Sequence, residues 1–186
     1  MTLSKPLACL ALATLLAPVA AHAAPAPATG VVTINANVAP RCEGGTLDGA
    51  SSTFEMGILI DTSSGLLLND LSAPPKTLVG AFCNTKSSIS IIATPMQAQS
   101  FTGAPPVGFT DAIDYTASAS GWTPTAATFT TDAASNPAAL QTRDAAFTGD
   151  ITVEVSNFTP VGGVALRPVA DPNYLGTVIV TLAAVS

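Results

Sequence analysis

The chain has 186 residues, with six Lys and Arg against twelve Asp and Glu, a formal net charge of −6. That balance repels phosphate backbones and anionic lipid surfaces, which excludes nucleic acid and the charged membrane face as natural partners. The apolar fraction is mostly alanine and β-branched residues, while Thr, Ser, Gly and Pro are plentiful and Glu, Lys and Arg scarce, the profile of strands joined by turns.

In chain order, the first feature is a leader. Lys5 forms a short basic region, Leu7 to Ala17 is apolar apart from Thr14, and Pro18 ends the run. Ala21-His22-Ala23 then places small residues where a signal peptidase reads, so residues 1–23 are expected to be a signal peptide cleaved after Ala23. The apolar core is shorter than the roughly 20 residues needed to span a bilayer, and no later segment is long enough to do so. Cys9 lies too early in the apolar run to mark a lipoprotein site. Secretion through the periplasm is the expectation, with residues 24–38 as an N-terminal extension and residues 39–186 as a single domain.

Cys42 and Cys83 remain after that cleavage, an even number in an oxidising compartment, and are expected to pair. The alternatives are two free thiols or a metal pair. With His22 leaving in the leader and no third cysteine, the residues for a zinc site are lacking.

The segment Ala24 to Gly30 is small and rich in Ala and Pro. From Val31 to Val38 the residues Val32, Ile34, Ala36 and Val38 share one face and Thr33, Asn35 and Asn37 the other, a strand pattern with one wet face that ends at Pro40. Phe54, Met56, Ile58 and Ile60 predict a second strand over 54–60. Residues 61–76 read as a loop. Strands are predicted at 77–82 and 87–94 around Cys83, and further ones at 108–117, 126–131, 151–158 and 175–183. Ile151, Val153 and Val155 face inward in one of these, and Val178, Val180 and Leu182 share a face in the last. Only 136–144 has a helical look, with Pro137 placed to open a turn. Seven or eight short strands with this punctuation predict an all-β, antiparallel immunoglobulin-like sandwich.

The search for catalytic chemistry returns little. Without a histidine in the mature chain, the Ser-His and Cys-His routes to a nucleophile are closed. Lys86 precedes Ser87 and Ser88, but these read as strand-opening residues. Asp111 and Asp114 are the best carboxylate pair, yet an odd offset puts them on opposite faces of a regular strand. Gly44-Gly45 and Gly162-Gly163 lack the context of a phosphate loop. Asp48-Gly49 reads as a turn without a calcium loop around it. Asn157-Phe158-Thr159 is a glycosylation pattern of little weight in a bacterial-looking chain. Trp122 reads as a residue capping the core or, as the candidate for ligand stacking, as a platform for a sugar. No enzyme activity, cofactor or metal is expected.

Several strings taken together resemble the structural pilins of chaperone–usher fimbriae, in particular the archaic branch with spore-coat-U-like domains. They are Ala28-Thr29-Gly30 running through Val31–Val38 to Cys42, then Ala81-Phe82-Cys83-Asn84-Thr85 before the strand Ser88–Ala93, and the terminal run Pro172 to Leu182. Asp114-Tyr115 followed by Gly121-Trp122 is a looser match. The chain departs from the family in running past its last strand through Ala183 to Ser186, and in having Gly176-Thr177 where the family has Asp-Thr. The resemblance implies a sandwich lacking one strand, whose groove is filled first by a periplasmic chaperone and then, at an outer-membrane usher, by the N-terminal strand of the next subunit. Val32, Ile34, Ala36 and Val38 would be the groove-filling side chains, and the product a surface fimbria of identical or sister subunits. The competing expectations are a complete secreted sandwich that binds a carbohydrate or protein, in which Val31–Val38 is simply the first strand, and a carboxylate hydrolase that would need Asp111.

Overall fold

The computed structural model describes residues 33–49 and 51–185. The expected signal peptide, its cleavage site and Val32 lie outside the described residues. So does Val31, where the first predicted strand begins.

Among the described residues all the regular structure is β apart from one short turn of 3-10 helix. In chain order the strands are β1 (Cys42–Glu43), β2 (Thr46–Leu47), β3 (Lys76–Cys83), β4 (Ser87–Ala93), β5 (Met96–Ala98), β6 (Phe109–Thr110), β7 (Ala112–Ser120), β8 (Ala127–Thr130), β9 (Leu140–Arg143), β10 (Phe147–Pro160), β11 (Arg167–Pro168), β12 (Tyr174–Leu175) and β13 (Val178–Ala184). A curled sheet has the order β1-β3-β10-β7-β5-β12, with β2 added to β3 and β8 to β7. A second sheet is β13-β4-β9, and β6 and β11 form a two-residue parallel pair. Every other pairing is antiparallel, and the sheets enclose one core: the chain is an antiparallel, immunoglobulin-like β-sandwich.

The long strand β10 makes the curl. Its first half pairs with β3 and its second with β7, so it passes from one neighbour to the other along its length. The register with β7 shifts between Ser156 and Thr159, where Asn157 takes a positive φ of 54°, the bulge geometry that bends and twists a strand.

Alternation decides which side chains enter the core. On β4, Ser87, Ile89 and Ile91 are buried, and on β10 Ile151 and Val153. On β7 and β8 the inward residues are mostly small, Ala117, Ala119 and Ala127, all fully buried. β4 packs directly on β7 and β8, so large isoleucines of one sheet meet alanines of the other at this end of the core. Gly121 turns the chain after β7 at a φ of +93°, where a Cβ would lie 2.4 Å from the Asp150 carbonyl oxygen, so only glycine fits. The turn drives Trp122 into the core, where its ring meets Phe147 edge-on at 5.1 Å and its Nε1–H donates to Ser87 Oγ at 3.1 Å. Arg143 stacks its guanidinium on the other aromatic partner, 3.4 Å from the Phe147 ring centre, and donates to the Trp122 carbonyl at 2.7 Å.

Cys42 and Cys83 form a disulfide between directly opposed residues of β1 and β3. Asn84 supports the same junction, accepting from the Arg41 amide at 2.7 Å and donating to the Ala39 carbonyl at 2.9 Å.

Three expectations change. Residues 54–60 do not form a strand; only Ile60 makes an isolated bridge, to Leu67. The described part of the first predicted strand, 33–38, has no strand pairing. Its alternation fits a β conformation, but a strand also needs a neighbouring strand to bond, and this segment has none in the described structure. In place of a helical stretch at 136–144, a 3-10 turn at Pro137–Ala139 leads into β9. Pro137 opens the turn as its fixed φ favours, but the residues beyond it pair with β4.

Two stability predictions follow from this packing. Replacing both Cys42 and Cys83 with alanine is expected to cost about 4 kcal/mol in urea denaturation, the loop-closure value for a separation of this length. Trp122→Ala is expected to cost about 3–5 kcal/mol, the range for removing a large aromatic side chain from a closed core.

Candidate functional site: an open sheet edge beside an apolar cavity

Among the described residues the last strand has one partner. β13 pairs along its whole length with β4, from Val178 opposite Ala93 to Ala184 opposite Ser87, and with no described strand on its other side. β1 lies near β13 without joining its sheet. Along this edge β13 carries N–H and C=O groups with no strand to receive them, while Val178, Val180 and Leu182 lean into the core.

Just before β13 the chain crosses between the sheets, leaving β12 in the large sheet and entering β13 in the small one through Gly176 and Thr177. A Cβ on Gly176 would lie 2.9 Å from the Thr94 carbonyl oxygen and 3.1 Å from both Met96 and the Tyr115 hydroxyl, so the crossing requires glycine. Thr177 is then held from several sides. Its carbonyl accepts from the Thr94 amide at 2.9 Å and from the Tyr115 hydroxyl at 3.1 Å, its amide donates to Thr94 Oγ1 at 3.0 Å, and the two threonine hydroxyls lie 2.9 Å apart. The approach to β12 is fixed in the same manner by Asp171. Partial desolvation pushes its carboxyl up, but the amides of Asn173, Ser100 and Phe101 outweigh that and hold it below the usual carboxylate range.

Beside the crossing lies a cavity of about 1020 Å³. Tyr115, Phe158, Val155 and Met96 line it from the large sheet, Tyr174 and Val178 from either side of the crossing, and Phe54 and Met56 from the segment running past its mouth. Tyr115 and Phe158 stack with ring centres 5.8 Å apart. The volume is just above the roughly 300–1,000 Å³ range of small-molecule sites, and the lining is mainly aromatic and aliphatic. The segment along the mouth ends at a tight turn in which Asp61 accepts from the hydroxyls and amides of Ser63 and Ser64. These bonds, that from the Ser63 hydroxyl foremost, lower its pKa to about 2.

The sequence candidates fall in different places. Ile34 and Val38 are 90% and 80% exposed, and Ala36 is exposed as well. Trp122 is fully buried at the end of the core next to β9, so its ring has no free face on which a ligand could stack. Asp114 is buried and accepts from the Thr131 hydroxyl at 2.7 Å, whereas Asp111 sits in the link between β6 and β7. Lys86 pairs with Asp144 at 2.7 Å, and Ser87 is buried under Trp122. Among the described residues there is no cluster of three or more potential metal ligands, and no helix is long and apolar enough to cross a membrane. Sequence reasoning missed the cavity, whose lining comes from segments more than a hundred residues apart. The one local signal was Tyr174-Leu175-Gly176-Thr177 before the final strand.

No protein-family model, curated protein or solved structure matches this chain.

The cavity has a titration signature. Burial pushes the phenol of Tyr115 from its ordinary 10.0 to about 12. Tyr174 rises to about 12 as well, through desolvation first and the nearby charges of Asp171 and Asp111 second. Both folded pKa values lie above the unfolded one, so this contribution to stability is intact below pH 10 and is lost as the pH rises toward 12. The chain has only two tyrosines, so phenolate absorbance reads these two alone. The expected result is little phenolate at pH 10.5 in the folded protein, and about three-quarters ionisation at that pH in urea.

Proposed function

We propose that the chain is a structural subunit of a surface fimbria or fibre, of the chaperone–usher pilin type and its archaic, spore-coat-U-like branch, assembled by donor-strand exchange. The observation that carries this reading is the unpaired edge of β13 beside an apolar cavity. An incoming strand would gain the main-chain hydrogen bonds β13 lacks and lay alternate side chains on the core. The proposed donor has a comparable length. Val31 to Val38 is eight residues and β13 seven, about 26 Å and about 23 Å when extended at roughly 3.3 Å per residue. Val32, Ile34, Ala36 and Val38 would face the groove, and the apolar exposure of Ile34 and Val38 supports a segment kept for another partner. A donor on one subunit and an acceptor on the next make a head-to-tail contact that does not close, hence a fibre. A periplasmic chaperone and an outer-membrane usher are the partners this route needs. The Cys42–Cys83 disulfide is compatible with secretion through an oxidising compartment. In this reading the work done is strand exchange, and no catalytic role is assigned.

The second reading, a self-contained secreted binding module, draws on the cavity itself, whose volume and aromatic lining would suit a ligand other than a strand.

Size-exclusion chromatography and electron microscopy of the protein from periplasm, with and without residues 24–38, separate the two. Fibres or chaperone-bound species that vanish with the deletion are expected. A stable monomer from both chains would overturn the assembly reading and leave the binding module.

A further inference from the structure

Residues 51–60 have the sequence of a strand and the surroundings of one without being one. Phe54, Met56, Ile58 and Ile60 alternate, and Phe54 and Met56 are half-buried against the cavity, yet Ile58 is 70% exposed. Among the described residues, no N–H or C=O from 51 to 58 makes a backbone–backbone hydrogen bond. Both ends are tied down. The segment leaves β2, which pairs with β3, and it ends at the Ile60–Leu67 bridge and the Asp61 turn. Within it, Gly57 takes a φ of +67°, a left-handed value that interrupts the alternation, and a Cβ added there would meet nothing within 4 Å. The strap and Val178, where β13 begins, therefore line one cavity, and the left-handed torsion at Gly57 stands in the strap.

We infer that residues 51–60 are a hinged strap with two positions: the open one seen here, and a closed one in which Gly57 becomes extended and the strap adds to the free edge of β13, filling the cavity with Phe54, Met56 and Ile58. Closure satisfies two sets of backbone groups at once and removes an exposed edge, which gives an unassembled subunit protection from indiscriminate pairing. As regulation of donor entry this rests on the assembly reading above, since a closed strap and an incoming donor would claim the same edge.

Two substitutions push the strap in opposite directions without touching the core. Gly57→Val penalises the left-handed torsion of the open position, which a β-branched residue avoids, and favours the closed one roughly tenfold. Ile58→Ser removes an apolar side chain that only closure would bury. Hydrogen exchange on the full-length secreted chain reads the result. The amides of 53–59 and of 178–184 are expected to gain protection together, about tenfold, in Gly57→Val, and to lose it in Ile58→Ser. A labelled synthetic peptide of residues 30–40, added to each protein, is expected to associate more slowly with Gly57→Val and faster with Ile58→Ser. Strap amides that exchange at unstructured rates in all three proteins would overturn the proposal, and peptide binding under those conditions would leave the donor reading standing. Protection that shifts as expected while the peptide binds none of the three would leave the closure standing and overturn its role as a gate to assembly.

Discussion

The crossing at Gly176 and Thr177 is the constraint on which the rest of the architecture depends. The chain leaves the large sheet at β12 and enters the small one at β13, and the passage goes through a gap that a single methyl group would close. Tyr115 on β7 and Thr94 in the link between β4 and β5 fix the Thr177 carbonyl. The direction in which β13 leaves is set there, and with it the strand that β13 meets, β4. A buried tyrosine hydroxyl whose only acceptor in this structure is a main-chain oxygen is also costly to mistreat, because displacement of the crossing leaves a donor and an acceptor unpaired in an apolar setting.

Around that node the molecule divides its stabilising work. At one end, Trp122, Phe147 and Arg143 close the core with a packed aromatic cluster next to the disulfide-bearing ends of β1 and β3. At the other, the space between the sheets is left open and bounded by a segment without main-chain bonds. The first end is rigid for reasons of packing density and cross-linking. The second has exposed apolar side chains and unmet backbone groups, the features of a low-stability region through which proteins make contact with other chains. A single short chain thus provides a firm support and an adaptable edge.

The parts of this arrangement readable from sequence were those with one buried face. Ile89 and Ile91 on β4, Ile151 and Val153 on β10, and Val178, Val180 and Leu182 on β13 all take the sides their alternation predicted. β7 was harder, because Ala112 to Tyr115 are buried on both faces and Asp114 interrupts the apolar pattern while bonding to Thr131. The strands β1, β2, β11 and β12 are two residues each, too short for any periodicity to register. At 54–60 the pattern was real and the pairing absent, since alternation reports what a residue could bury and is silent on whether a neighbour is within reach. Trp122 was ambiguous because its position depends on the torsion of Gly121 and the backbone of Asp150, partners about thirty residues apart in sequence. The candidate site is the extreme case. Tyr115 and Thr177 are separated by 62 positions, and nothing local in either segment announces the other.

The placement of the disulfide bears on how the molecule carries mechanical load. Tension applied through the segment before Cys42 enters the domain at that residue and passes through a covalent bond to Cys83, from which the chain runs on into β4. The chain between Cys42 and Cys83, a separation of 41 positions, lies off that path and cannot be drawn out while the bond is intact. Residues 51–60 belong to that shielded loop. They can shift position without lengthening the molecule, so movement at the cavity mouth and transmission of force along the chain are mechanically independent.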